Sequence, residues 1–183
     1  MASSGPNGPG TSANDTSVGA VAWSDSTTGP LTVSDGTTSS VFLSASQISN
    51  YLKVTNFGFS IPGTATIDGV LFEVAKNYAF VQPTDYGSRL VVGGVIGSTD
   101  RNMGGWPTPA AYVSHGGSTD LWGVALAPSD VNDSGFGFAI AATTAASTAV
   151  CVIDHVRCTI YYTESSGSTQ PPRSMHQFRM RAG

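Results

Sequence analysis

Charge is the scarcest feature of this sequence. Asp, Glu, Lys and Arg together make up 11% of its 183 residues, less than half the usual share of about 25%. Glu73 and Glu164 are the only glutamates, and Lys53 and Lys76 the only lysines. Helix surfaces are normally covered with Glu, Lys, Gln and Arg, so this supply excludes a mainly helical fold. Cysteine is nearly absent too. Cys151 and Cys158 have no CxxC or Cys/His neighbourhood that would suggest zinc, and two residues make no disulfide framework. No run of 18 apolar residues offers a membrane-spanning helix. The opening MASSGPNGPGTS has neither the basic start nor the apolar stretch of an export signal. The expectation is a protein made in a cytoplasm, with no membrane partner, whose extracellular role would come through assembly or lysis.

What is present is Val, Ile, Thr, Tyr and Phe at short spacings, punctuated by Gly and Pro. These are the raw material of sandwiches and barrels. Strands are expected at 19–24, 39–45, 51–61, 66–80, 89–98, 136–144 and 150–163. A bulge is expected at Asn56–Gly58 and another break at Gly93-Gly94. In 66–80, Val70, Phe72 and Val74 share one face, and Leu71, Glu73 and Ala75 the other. Residues 99–120 read as one long irregular stretch, and 127–133 as a single helical turn capped by Ser129 or Asp130. With no crossover helix long enough for parallel pairing, the fold class is all-β, an antiparallel β-sandwich of the jelly-roll kind.

In the last strand, strict alternation puts Val150, Val152, Asp154, Val156, Cys158, Ile160 and Tyr162 on one face. Cys151, Ile153, His155, Arg157, Thr159 and Tyr161 then share the other. Seven residues along a strand is about 23 Å and reverses the face, so Cys151 and Cys158 are not expected to bond within it.

Three regions follow from this reading: a low-complexity N-terminal arm at 1–17, a β-sandwich at 18–164, and a linker with a basic docking arm at 165–183. The arm has almost nothing to bury and is not expected to order alone; a neighbouring subunit is the most economical support. Residues 1–172 carry twelve acids against five bases, while the last eleven carry Arg173, Arg179 and Arg181 and no acid. An acidic body disfavours nucleic acid as a partner, because phosphate binding needs a positive face. Pro171-Pro172 makes a stiff spacer. Beyond it, Met175, Phe178 and Met180 alternate with arginines as anchors for an acidic protein surface.

Catalytic chemistry finds no pattern. His115, His155 and His176 accompany no GxSxG elbow. Asp68, Asp120, Asp130, Asp133 and Asp154 give no reason to pair any two as glycosidase acids. Asp130, Asn132 and Asp133 resemble a fragment of a calcium loop but lack its spacing and distal Glu, so a cap-and-turn role is simpler. No catalytic residue, cofactor or metal ligand is assigned. Trp23, Trp106, Trp122, Tyr86 and Tyr112 lie in or beside expected loops, where rings of sugar-binding sandwiches stand. Trp106 is the candidate for contacting a partner, and Trp122 the plug for one end of the sandwich.

The blocks VGAVAWSD (18–25), SNYLKVTNFGFSIPGTATIDGVLFEV (49–74), GGSTDLWG (116–123), PSDVNDSGFGFAIAA (128–142) and IDHVRCTIYYT (153–163) carry a resemblance. In order and spacing, the stretch from Gly5 to Thr163 resembles a β-sandwich family of structural and tail-module proteins of tailed bacteriophages and related prophages. STTGPLTVSDG (26–36) departs from the asparagine- and proline-rich loop of that family, and 165–183 lies outside it. The resemblance implies a non-enzymatic virion protein, a capsid decoration (cement) protein or a head or tail appendage. It would act as a homo-oligomer through contacts with itself and other capsid or tail subunits. The alternative is a carbohydrate- or receptor-binding module facing a host surface glycan.

Overall fold

The computed structural model describes residues 1–26 and 29–165. Ten strands and two helical turns lie within them: β1 (Ala2–Asn7), β2 (Thr11–Asp15), α1 (Gly29–Thr32), β3 (Ser39–Leu43), β4 (Tyr51–Thr55), β5 (Thr66–Phe80), β6 (Thr84–Val92), β7 (Val95–Asp100), β8 (Ala111–Gly117), α2 (Pro128–Asn132), β9 (Gly137–Thr143) and β10 (Ala149–Thr163). Neither helix is long and apolar enough to cross a membrane.

The pairing is nested. β6 pairs with β7, β5 with β8, β4 with β9 and β3 with β10, all antiparallel. The chain therefore behaves as one long hairpin that closes at Gly93-Gly94, where both residues have positive φ (56° and 80°). Such a two-residue turn favours glycine because both central positions are left-handed. Rolling this hairpin up adds the pairs β5–β10 and β6–β9. The resulting sheets run β1-β10-β5-β8, with β3 on the same edge of β10 as β1, and β2-β4-β9-β6-β7. This is an all-β sandwich with jelly-roll connectivity.

Between the sheets lie Val70, Phe72 and Val74 of β5, Leu52 and Val54 of β4, and Phe138 and Ile140 of β9, all fully buried or nearly so. Phe72 is the hub. Its ring centroid stands 4.9 Å from Phe138, 5.6 Å from Phe57, 5.7 Å from Trp122 and 6.1 Å from Phe136. Burying one such ring stabilises a fold by about 1.5–3 kcal/mol, and each well-placed aromatic pair adds about 0.5–1.5 kcal/mol.

The structure corrects several expectations. The low-complexity start needs no neighbour: β1 pairs with residues 158–162 of β10, and β2 with β4. Composition rules count only the side chains a segment can bury, whereas an open sheet edge offers main-chain hydrogen bonds to any sequence. Asparagines complete the attachment. Asn7 Nδ2 donates to the Phe57 carbonyl at 2.9 Å, and Asn14 brackets the Trp23 backbone with bonds of 2.8 and 3.0 Å. Residues 19–24 are not a strand; they join the sandwich through the bridges Val21–Ser49 and Ser24–Ser40, the Asn14–Trp23 bonds and the buried Trp23 ring. Residues 89–98 are the β6–β7 hairpin rather than one broken strand. β4 stops at Thr55, where Asn56 and Gly58 turn left-handed (φ 62° and 67°) instead of forming a bulge. The stretch 99–120 hides β8. The α2 cap is Ala127, with Pro128 leading the turn, and Asp130 accepts the Ala127 N–H at 2.8 Å.

The most informative correction is in β10. Ile153 faces Lys76 and His155 faces Ala75, so Asp154 is an extra, bulged residue. Two consecutive residues turn outward, and parity reverses. The core face is Ala149, Cys151 and Ile153 before the bulge, and Val156, Cys158 and Ile160 after it, all fully buried. Cys151 and Cys158 therefore share the core face rather than opposing each other, and both thiols are free. Asp154 does not face the core. It accepts Ser34 Oγ at 2.5 Å and the Gly36 N–H at 2.9 Å at the surface.

Candidate contact surfaces and a buried polar site

Trp106 follows the second of two glycines in a loop and would be expected at the surface. The structure places it at 0% exposure, its ring stacked on Trp23 with centroids 6.3 Å apart. Gln82 holds its carbonyl at 2.8 Å, and its own N–H answers Pro83 O at 3.1 Å. Its contact role is corrected accordingly: the ring is a core element, not a surface one. Trp23 and Trp122 are also buried. Trp23 Nε1 donates to Asn50 O at 2.9 Å, and Trp122 Nε1 to Val70 O at 3.0 Å. The Trp122 ring packs edge-on to Phe72 and Phe138. A glycan platform built on these three rings is therefore not presented to solvent. Tyr86 and Tyr112 are exposed, but the Tyr112 ring is covered by Arg157, whose guanidinium carbon lies 4.0 Å from the ring centroid. The tail residues Arg173, Met175, Phe178, Arg179, Met180 and Arg181 lie outside the described residues.

Behind Trp106 sits a polar site that the sequence pattern did not single out. Lys76 continues the inward parity of Val70, Phe72 and Val74 on β5, so its side chain enters the core. Its Nζ meets Asp85 Oδ1 of β6 at 2.6 Å, with side-chain exposures of 1% and 0%. Trp106 Nε1–H donates to the same oxygen at 2.8 Å, and the Met103 N–H to Oδ2 at 3.1 Å. The ammonium lies 4.8 Å from the Trp106 ring centroid, within cation–π range. Burial lowers the Lys76 pKa, opposed by the Asp85 charge. Parity was the signal that could have found Lys76, which continues the face of Val70, Phe72 and Val74.

The other chemistry-bearing residues have partners of their own, with His115 and Cys151 close enough to feel the charges of Lys76 and Asp85. His115 is buried with Nδ1 2.9 Å from Arg101 O and Nε2 without a partner, and burial lowers its pKa. His155 stands on the outer face, its Nδ1 2.7 Å from the Tyr112 hydroxyl. Asp120 takes a bidentate bond from Arg101 at 2.6 and 2.8 Å, which lowers its pKa. Asp68 accepts Thr163 Oγ1 at 2.7 Å, and Asp133 accepts the Gly135 N–H at 2.7 Å. Burial pushes the Cys151 thiol up to about 12 and raises Cys158 well above its ordinary value. Both are inert packing groups at neutral pH. Among the described residues no group of three His, Cys, Asp or Glu side chains converges as a metal site would require.

The surface offers a different chemistry. Phe80, with φ 71°, is 77% exposed at the end of β5, and Phe42 is 58% exposed on β3. Phe42 continues across the outer face into Val150 and Ala79, which share its register row. At the opposite edge, Val95 of β7 is 71% exposed. It borders an apolar cavity of about 190 Å³ lined by Leu90, Val92, Thr99, Trp122 and Val124. β7 is the terminal strand of its sheet, with no strand beyond it among the described residues. No family model, no curated protein and no solved structure matches the chain.

Proposed function

We propose that this chain is a non-enzymatic structural subunit of a bacteriophage particle, a capsid decoration protein or a head or tail appendage, acting as a homo-oligomer through protein–protein contacts. The observation that carries this reading is the division of labour between inside and outside. Residues that could do chemistry are engaged in hydrogen bonds and ion pairs or packed in the core, whereas large apolar side chains such as Phe42, Phe80 and Val95 face solvent. Exposed apolar side chains on an outer sheet face (Phe42), at a strand end (Phe80) and on a terminal strand (Val95) fit macromolecular contact. The block resemblance at 18–25, 49–74, 116–123, 128–142 and 153–163 supplies the particle.

The C-terminal arm supplies the second half of the reading. Met175, Phe178 and Met180 would be buried against a neighbour, with Arg173, Arg179 and Arg181 pairing with its acidic body. Copy number tests the proposal. Quantitative mass spectrometry of purified particles should find the chain at hundreds of copies. A handful of copies would favour a receptor-binding role, and absence from the particle would refute the proposal.

A further inference from the structure

The corner where the chain leaves β5 and enters β6 holds a lysine and an aspartate in contact, shut off from water and supplied with two further hydrogen-bond donors. A buried ion pair is costly, since each charge loses its hydration. Passing one proton from Nζ to the carboxylate leaves an amine and a carboxylic acid, and no charge remains in the dry core. In that tautomer a nucleophilic amine stands beside an electrophilic carboxyl group. We propose that Lys76 and Asp85 condense in the folded protein to form an isopeptide bond between Nζ and Cγ, with loss of one water.

The step balances within the site. The Nζ lone pair attacks Cγ, forming the C–N bond and moving the carbonyl electrons onto oxygen. Trp106 Nε1–H and the Met103 N–H, 2.8 and 3.1 Å from the two carboxyl oxygens, hold that developing charge. Collapse breaks one C–O bond. The departing oxygen leaves as water with the acid's proton and one proton from nitrogen, and nothing is oxidised or reduced. The 2.6 Å contact between Nζ and Oδ1 holds the amine beside the carboxyl group in a packed interior, so only a small shift separates Nζ from Cγ. Trp106 acts on the reacting carboxyl group directly in this scheme, and Trp23 and Gln82 hold it in place. The product would tie β5 of one sheet to β6 of the other covalently.

The test is the mass of the full chain, measured after purification under denaturing conditions. The expected value is one water below the sequence mass. Trypsin should fail at Lys76 and release residues 54–89 as one piece, one water light. Asp35-Gly36 and Asp68-Gly69 can also lose water as succinimides, but hydroxylamine cleaves those and leaves an isopeptide intact. Peptides 54–76 and 77–89 at their unmodified masses would overturn the proposal, as would a water loss that hydroxylamine removes. Asp85→Ala should retain its full mass; a water-light 54–89 peptide in that variant would refute the assignment. Should Asp85→Ala fail to fold, Trp106→Phe keeps a ring but removes the donor. It should slow the water loss on the order of a hundredfold, and an unchanged rate would overturn the role given to the site.

Discussion

Deleting Asp154 from the middle of β10, one of the two longest strands, should leave the sandwich folded. In a continuously alternating strand, losing one residue turns everything beyond it to the wrong face. The side chains beyond this point include Val156, Cys158 and Ile160, each fully buried. Exposing them would cost about 1.5–3 kcal/mol for each of the valine and isoleucine, with the cysteine in addition. That is on the order of 5 kcal/mol, against a whole-domain stability of about 5–15 kcal/mol. The bulge changes this outcome. With Asp154 gone, Ile153 points in, His155 out and Val156 in, so the core pattern survives. What is lost is the pair of bonds from Ser34 Oγ and the Gly36 N–H, at 2.5 and 2.9 Å. Both donors are near water and can be resolvated, so the cost is about 2 kcal/mol. Urea unfolding should show one cooperative transition with its midpoint lowered by about 1 M, taking a slope of about 2 kcal/mol per M. Both thiols should stay unreactive toward a thiol reagent until the protein unfolds. A Cys158 that reacts in the native deletion variant, or a variant that does not fold, would refute the bulge account.

Three further outcomes are expected. Removing residues 1–15 uncovers the outer edge of β4 and part of β10, so light scattering should detect self-association; a monodisperse monomer with the wild-type urea midpoint would contradict the edge-strand role. His115 is held neutral by burial, so the unfolded chain binds the extra proton as pH falls below the ordinary value of 6.5, and stability declines from there toward the depressed folded value. His155, also lowered by burial, acts in the same direction. The urea midpoint should drop between about pH 7.5 and about pH 5.5, and drop less in His115→Gln; an unchanged difference in the variant would remove His115 as the cause. Deleting residues 170–183 should leave the thermal transition of the domain unchanged but reduce its occupancy on particles, and wild-type occupancy under the same salt and heat would show that the arm does not dock.

The elements legible in the sequence were those whose side chains do the packing. β5 and β9 carry large apolar residues at period two, and their bounds and faces follow from that spacing. β10 was equally visible as a strand, but its faces were not, because Asp154 suits either a bulge or a polar interruption on a continuous face. β1 and β2 were invisible for a physical reason: they are held by main-chain pairing and by Asn7 and Asn14, not by apolar periodicity. β8 was hidden because AYVSHGG offers little apolar bulk, its order coming from the long β5 beside it. The buried site was half legible. Lys76 stands in parity with the core residues before it, but its partner Asp85 and the covering Trp106 reach it only through the tertiary fold. Trp106 shows the opposite error, since glycine and proline neighbours marked a loop without revealing that the loop folds back onto the core.

A density map of the intact particle tests the central proposal most directly. The account predicts this sandwich repeated on a symmetric array, with its Phe42 and Phe80 surfaces or its β7 edge against neighbouring subunits, and the C-terminal arm crossing to one of them. A particle without this sandwich, or one that carries it singly with those surfaces facing solvent, would contradict the account.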